Sequence, residues 1–326
     1  MATEARHHHY MPQCYLRGFS VGAGKKCRVT VANLENDVFF ETNPRNVAGV
    51  RDFNRVELPG FKPDALEGML SGFESEVAAA IRNIVASKKF EEIDRNAVLN
   101  LIALLAVRSP QMREHWRIQQ QKVFKRIIGL SLETKERWES QQEAMKKAGY
   151  GVDAAVSYED MVKFYKEDEY DIAFKNEHHI GVEFKVHDSV LRALDARKWS
   201  LYITDDGNGC FVTADRPVML TYNKPEEVPL LFRNSPGFGV PETEVLFPLT
   251  QHLALVGEFE GEDRVMTVPT EIVAMANSKM ILGSFGQVYA PKKTIPYVGP
   301  DRKTYFDRNF MDRYSQYKKE NEKQPA

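Results

Sequence analysis

The sequence predicts an α+β fold, with a helical amino-terminal half packed against a mostly antiparallel sheet in the carboxy-terminal half. Two observations carry this. Apolar residues recur at helical spacing between residues 60 and 168, and short β-branched or aromatic runs separated by turn residues fill 169–290. Strands and helices do not alternate regularly, which argues against a doubly wound α/β sheet.

Taken in order, Lys26 to Ala32 reads as a strand because Cys27, Val29 and Val31 alternate with polar neighbours. Asn33 to Asp37 is a turn, Asp37 to Glu41 a returning strand, and Asn43-Pro44-Arg45-Asn46 a break. Asp64 with Glu67 predicts a capped helix whose stripe is Phe73, Val77, Ile81, Ile84 and Val85. A helix from about Asp94 to Val107 is apolar around most of its circumference and should be central. Pro110 interrupts it before a helix over Met112–Ile128, a polar one over Ser131–Ala148 and a short one capped by Ser157 with Asp160. Tyr170–Phe174 and Ile180–Val186 then read as a hairpin, and Ser189–Lys198 as a helix. Trp199–Thr204 and Cys210–Thr213 read as a second hairpin around Asp205-Asp206-Gly207-Asn208-Gly209. Val218–Tyr222, Val245–Leu249 and Leu253–Gly257 are further strands, Glu271–Lys279 is a late helix, and 302–326 is a polar, frayed tail with one aromatic group.

Composition narrows the function classes. A chain of 326 residues that is 43% hydrophobic is long enough for one large core or two modest ones. The net charge of −2 gives no overall steering toward nucleic acid and leaves only a local basic groove open. The most apolar helical stretch, Val98–Val107, is too short to cross a membrane, and no apolar signal core follows the amino terminus, so a cytoplasmic, non-membrane protein is expected. Cys14, Cys27 and Cys210 are odd in number and lack CxxC spacing, which fits reduced thiols. Gly22-Ala23-Gly24-Lys25-Lys26 falls short of a Walker A loop, and GxGxxG, GxSxG and HExxH are missing.

Four constellations carry candidate chemistry. In His7-His8-His9, an extended backbone would put His7 and His9 on one face and His8 on the other, whereas a turn would bring His8 and His9 into a pocket; in either case a metal would need distant partners. Asp171, Glu183 and Lys185 resemble the PD-(D/E)xK nuclease arrangement, in which two carboxylates hold a divalent cation and lysine orients water, although Tyr170 stands where that pattern has proline. Thr213 and Asp215 sit where a buried strand stops before Pro217; Asp215 is either a turn brace or a cation ligand. Arg108 and His115 fall within the spacing of HEPN ribonucleases. The cations from Arg113 to Arg126 read either as the wet side of a helix or as a nucleic-acid contact.

The stretch from His8 through Tyr10, Pro12, Tyr15 and Gly18 to Phe19 resembles the opening signature of the domain-of-unknown-function family DUF4238. Asn46-Val47-Ala48, Asp52-Phe53, Glu67 with Glu74, Leu104 to Pro110, Phe211 to Val218, Phe247-Pro248-Leu249 and Asn277 continue the resemblance. Ala214 and Arg216 depart from the serine and asparagine that the family's segment usually carries. The resemblance spans about residues 7–290 and implies no reaction; with the pattern of elements, it leads to an expectation of one domain over 1–290, with a helical part at 60–168 and a mainly β part at 169–290, and a polar extension at 291–326. Two principal readings stay open. His8, His9, Glu74 and Asp215 would ligate a divalent metal for attack on a nucleic-acid or other phosphoester substrate, with Arg108 assisting. Otherwise these residues form a structural polar network in a binding protein.

Overall fold

The computed structural model describes residues 6–151, 156–233 and 236–321. Helices lie mainly in the amino-terminal half and strands in the carboxy-terminal half, and the sheets are mostly antiparallel. The chain divides into two compact units. One runs to Pro110 and resumes at Asn176; the other is Gln111–Lys175.

The first unit is organised by a five-stranded sheet in the order Arg264–Thr267, Lys198–Ile203, Leu253–Glu258, Thr243–Thr250, Met219–Tyr222. Every pairing is antiparallel except that between Arg264–Thr267 and Lys198–Ile203. Side chains alternate across its faces, and both faces are buried. Trp199, Leu201, Val245, Phe247, Leu253 and Leu255 join a core with the Ala65–Ser87 and Glu92–Val107 helices. Met219, Leu246, Ala254 and Val256 face a second core with the Thr270–Gly283 helix. Val98, Leu99, Leu101 and Ile102 are almost fully buried, as expected of a helix apolar all round.

A four-stranded sheet, ordered Val38–Thr42, Val29–Asn33, Gln287–Ala290, Thr213–Ala214, ties the start of the chain to its end. The first two strands make the expected early hairpin. A short His7–His9 strand pairs with Gly49–Arg51. The His7 ring lies directly over Gly49, leaving no room there for a side chain.

Three expectations are corrected. Tyr170–Phe174 forms no strand, and Ile180–Val186 lies inside one helix, Asn176–Asp195. Its buried positions Ile180, Glu183, Val190 and Leu194 follow helical spacing, which overrides the β-branched composition of the segment. The 205–209 turn does not close a hairpin. Lys198–Ile203 pairs with Leu253–Glu258, whereas Thr213–Ala214 pairs in the other sheet, so this turn carries the chain between sheets. The polar tail is ordered in part. Thr304–Asp307 pairs with Ile295–Val298, and Phe310 and Met311 enter the second core from the Phe310–Asn321 helix.

The second unit consists of the helices Pro110–Ser131, Lys135–Lys147 and Tyr158–Glu167. Pro110 begins a helix, where its missing N–H costs nothing. Ser157 Oγ accepts from the Asp160 amide at 3.1 Å and donates to the Asp160 carboxylate at 2.7 Å, so Ser157 caps the helix start as the sequence predicts. Among the described residues no helix is long and apolar enough to cross a membrane.

Candidate functional site

The polar cluster of the first unit is built on the His7–His9 strand, the turn after Gly49–Arg51, and the two long helices. Strand alternation turns His8 inward to 2% exposure, while His7 and His9 share the outer side with their rings 5.2 Å apart. His8 Nδ1 accepts the Asn54 backbone N–H at 2.8 Å. The fully buried Asn54 side chain donates from Nδ2 to Glu67 Oε1 at 2.9 Å, and its Oδ1 accepts from Arg108 Nη2. Glu67 Oε1 is also 3.9 Å from His8 Nδ1. Arg108, leaving the end of the Glu92–Val107 helix, lies over the Phe53 ring at 5.5 Å. Glu67 was expected to complete a capping box with Asp64, but Asp64 makes no side-chain cap.

Glu74, two turns along the same helix face from Glu67, has its carboxyl raised above the ordinary range. Burial is the main cause and the Glu67 charge adds to it, while Arg108 opposes. Burial and the Glu74 charge push the Cys14 thiol up to about 11, so Cys14 is no activated nucleophile at neutral pH.

The tautomers bear on metal binding. His8 Nδ1 spends its lone pair on an amide proton, so neutral His8 carries its own proton on Nε2. His9 Nε2 lies 3.0 Å from the Arg45 carbonyl oxygen and must donate to it. Ligation through His8 Nε2 would move the proton to Nδ1, facing the Asn54 N–H. The donor set therefore does not fit the proposed metal centre, and among the described residues no three His, Cys, Asp or Glu side chains gather to hold an ion.

Asp215 belongs to a different network. Its Oδ1 accepts from the Phe285 amide at 2.8 Å and its Oδ2 from the Gln287 amide at 3.0 Å, making it the brace of a turn rather than a partner of His8, His9 and Glu74. Burial nevertheless raises its carboxyl to about 6, against the pull of those amides. Nearby, Tyr289 OH donates to Gln287 Oε1 at 2.7 Å.

The other candidates separate too. Glu183 and Lys185 lie on a helix, where residues two apart point in different directions, so the shared strand face behind the nuclease-like reading is lost. Asp171, in the second unit, is bonded by Gln121 Nε2 and lies 3.7 Å from Arg117 Nη1. Arg108 ends one helix and exposed His115 lies on the next, each in a different unit.

Other sequence-motif residues also act as clamps. Buried Tyr15 donates its hydroxyl to the Pro248 carbonyl at 2.8 Å, shares a 2.7 Å hydrogen bond with Thr213 Oγ1 and stacks on Phe247. Asn277 donates to the Cys210 and Pro296 carbonyls and accepts from the Val212 amide, each at 2.9 Å. Sequence reasoning missed Asn54, whose role depends on partners far away in the chain, and Arg197. The latter's buried guanidinium reaches the Thr243, Gly257 and Phe238 carbonyls from a position without local signature.

No curated protein and no solved structure matches the chain. The model of the family described as "Protein of unknown function (DUF4238)" matches residues 7–294. The matched span covers nearly all of the clamp residues described above, and the chain belongs to the DUF4238 family.

Proposed function

We propose that this chain is a noncatalytic binding or interaction protein, in which His8, Asn54, Glu67 and Arg108 form a structural polar network. The observation that carries the reading is the bonding of Asn54: its backbone engages His8 while its side chain bridges Glu67 and Arg108. Buried polar groups satisfied in this way fix one arrangement of the strand, turn and helices. The separate engagement of Tyr15, Asp215 and Asn277 supports the same reading, because each joins distant segments through bonds to protein groups.

A double-mutant cycle on Asn54→Ala and Arg108→Ala, whose side chains bond each other, combined with elemental analysis of the parent and a His8→Ala variant purified without chelator, tests it. The side-chain network should show a coupling energy of about 0.5–3 kcal/mol in denaturant unfolding. One equivalent of bound metal that disappears in His8→Ala would overturn the structural reading and restore a metal centre.

A further inference from the structure

A different surface of the first unit is organised for binding. Two open clefts, about 560 and 490 Å³ in volume, meet at Arg17, which lines both. The first is lined by Arg17, Lys25, Arg28 and Arg45 with Glu41 as its lone acidic residue; the second adds Arg82 and Lys88. None of these six cations forms an ion pair among the described residues. In a chain of net charge −2, such a local concentration is not a reflection of composition.

The first cleft is held in shape by the protein itself. Asn43 Oδ1 accepts from the Arg45 amide at 3.2 Å, while its Nδ2 donates to the Cys27 carbonyl at 3.2 Å, coupling the two walls. His9 grips the Arg45 carbonyl, so the outer side of the histidine run supports this rim. Arg28 Nη1 donates to the Lys25 and Cys27 carbonyls at 3.0 and 2.9 Å, which fixes its guanidinium over the turn while other N–H groups remain for a ligand. In the second cleft, the buried Nδ1 of His252 has no hydrogen-bond partner among the described residues.

We propose that these clefts form one track for the phosphodiester backbone of single-stranded nucleic acid. An extended polyanion fits because the cations are distributed over two clefts joined at Arg17; a compact phosphate would engage only one of them. No Phe, Tyr or Trp lines either cleft, so they offer no broad platform for base stacking and read backbone charge rather than sequence. The concave walls suit a strand lying in them, whereas duplex readers insert a protruding helix or ribbon into a groove. This inference goes beyond the noncatalytic reading and does not depend on the His8 network.

Fluorescence anisotropy with the full chain and a labelled single-stranded oligouridylate of about 20 nucleotides, titrated at several salt concentrations, is the test. Four to six phosphate contacts predict a slope of log affinity against log salt of about −3 to −4. Lys25→Glu combined with Arg45→Glu should weaken binding at least ~10-fold and reduce the slope by about 1.4, the share of two contacts. Arg17→Ala should weaken it less, and Lys122→Glu on the second unit should leave it unchanged. Unaltered thermal midpoints exclude misfolding as the cause. Absence of binding at low salt, or equal binding by the Lys25/Arg45 variant, overturns the proposal. Displacement of the RNA by inorganic tripolyphosphate at matched phosphate concentration also overturns the extended track, in favour of a compact anion pocket.

Discussion

The buried cluster around His8 and the basic clefts around Arg17 are both rich in polar side chains, and they differ in where those groups find partners. Asn54, Glu67 and Arg108 bond one another across strand, turn and helix. Arg17, Lys25 and Arg45 face solvent without an ion pair among the described residues. Burial explains the contrast. A charge taken out of water is costly unless paired, so the interior selects closed sets of partners. A solvated cation can remain unpaired, and its interaction energy is available to an incoming anion. The densest run of chemistry-bearing residues in the sequence therefore marks a structural junction, whereas scattered exposed cations mark the surface better suited to a ligand.

The contrast is broken most severely by Arg108→Ala. Removing one member of a buried charged network leaves the others unpaired, so stability should drop by about 3–5 kcal/mol, read as a lower urea midpoint. A loss below about 1 kcal/mol would place the network among weakly coupled surface pairs.

Asp215 sharpens the contrast through pH. Its folded carboxyl is raised to about 6 because desolvation outweighs the backbone donors. The native state then holds this proton more tightly than the unfolded chain. Its contribution to stability is greatest below the ordinary carboxyl value of about 3.9 and falls as pH rises through about 6, by roughly 3 kcal/mol in total. Asp215→Asn cannot ionise, so the stability of the parent minus that of the variant should fall by that amount between about pH 4 and 7. A difference that stays flat would mean that the Phe285 and Gln287 amides compensate burial completely.

The smallest stability effects belong to the clefts. Arg45→Ala and Lys25→Ala should each change unfolding free energy by no more than about 0.5 kcal/mol, since neither side chain makes a hydrogen bond or ion pair among the described residues; calorimetry checks this. A larger loss would show that these cations support the fold.

What could be read before folding follows the range of the interactions involved. The Ser157 cap, the shared strand face of His7 and His9, the central Glu92–Val107 helix and the strands read at Val245–Leu249 and Leu253–Gly257 all depend on residues close in sequence. The 170–186 segment was misleading because its β-branched residues suggest strands, while burial of Ile180, Glu183, Val190 and Leu194 is satisfied only by a helix. The 205–209 turn was correctly legible as a turn, but not the sheets to which its flanks belong.

By itself, the sequence determined the α+β class, the family and several of the polar residues that matter, though not Asn54 or Arg197, since periodicity, capping and motif spacing are local properties of the chain. Only the tertiary structure decided their partners. His8 meets Asn54 across 46 positions and Tyr15 meets Thr213 across 198, while Asp215 takes the Phe285 and Gln287 backbone amides, 70 and 72 positions on, instead of joining the histidines. Covalent order restricts such choices only weakly; desolvation and hydrogen-bond geometry make them when the core closes.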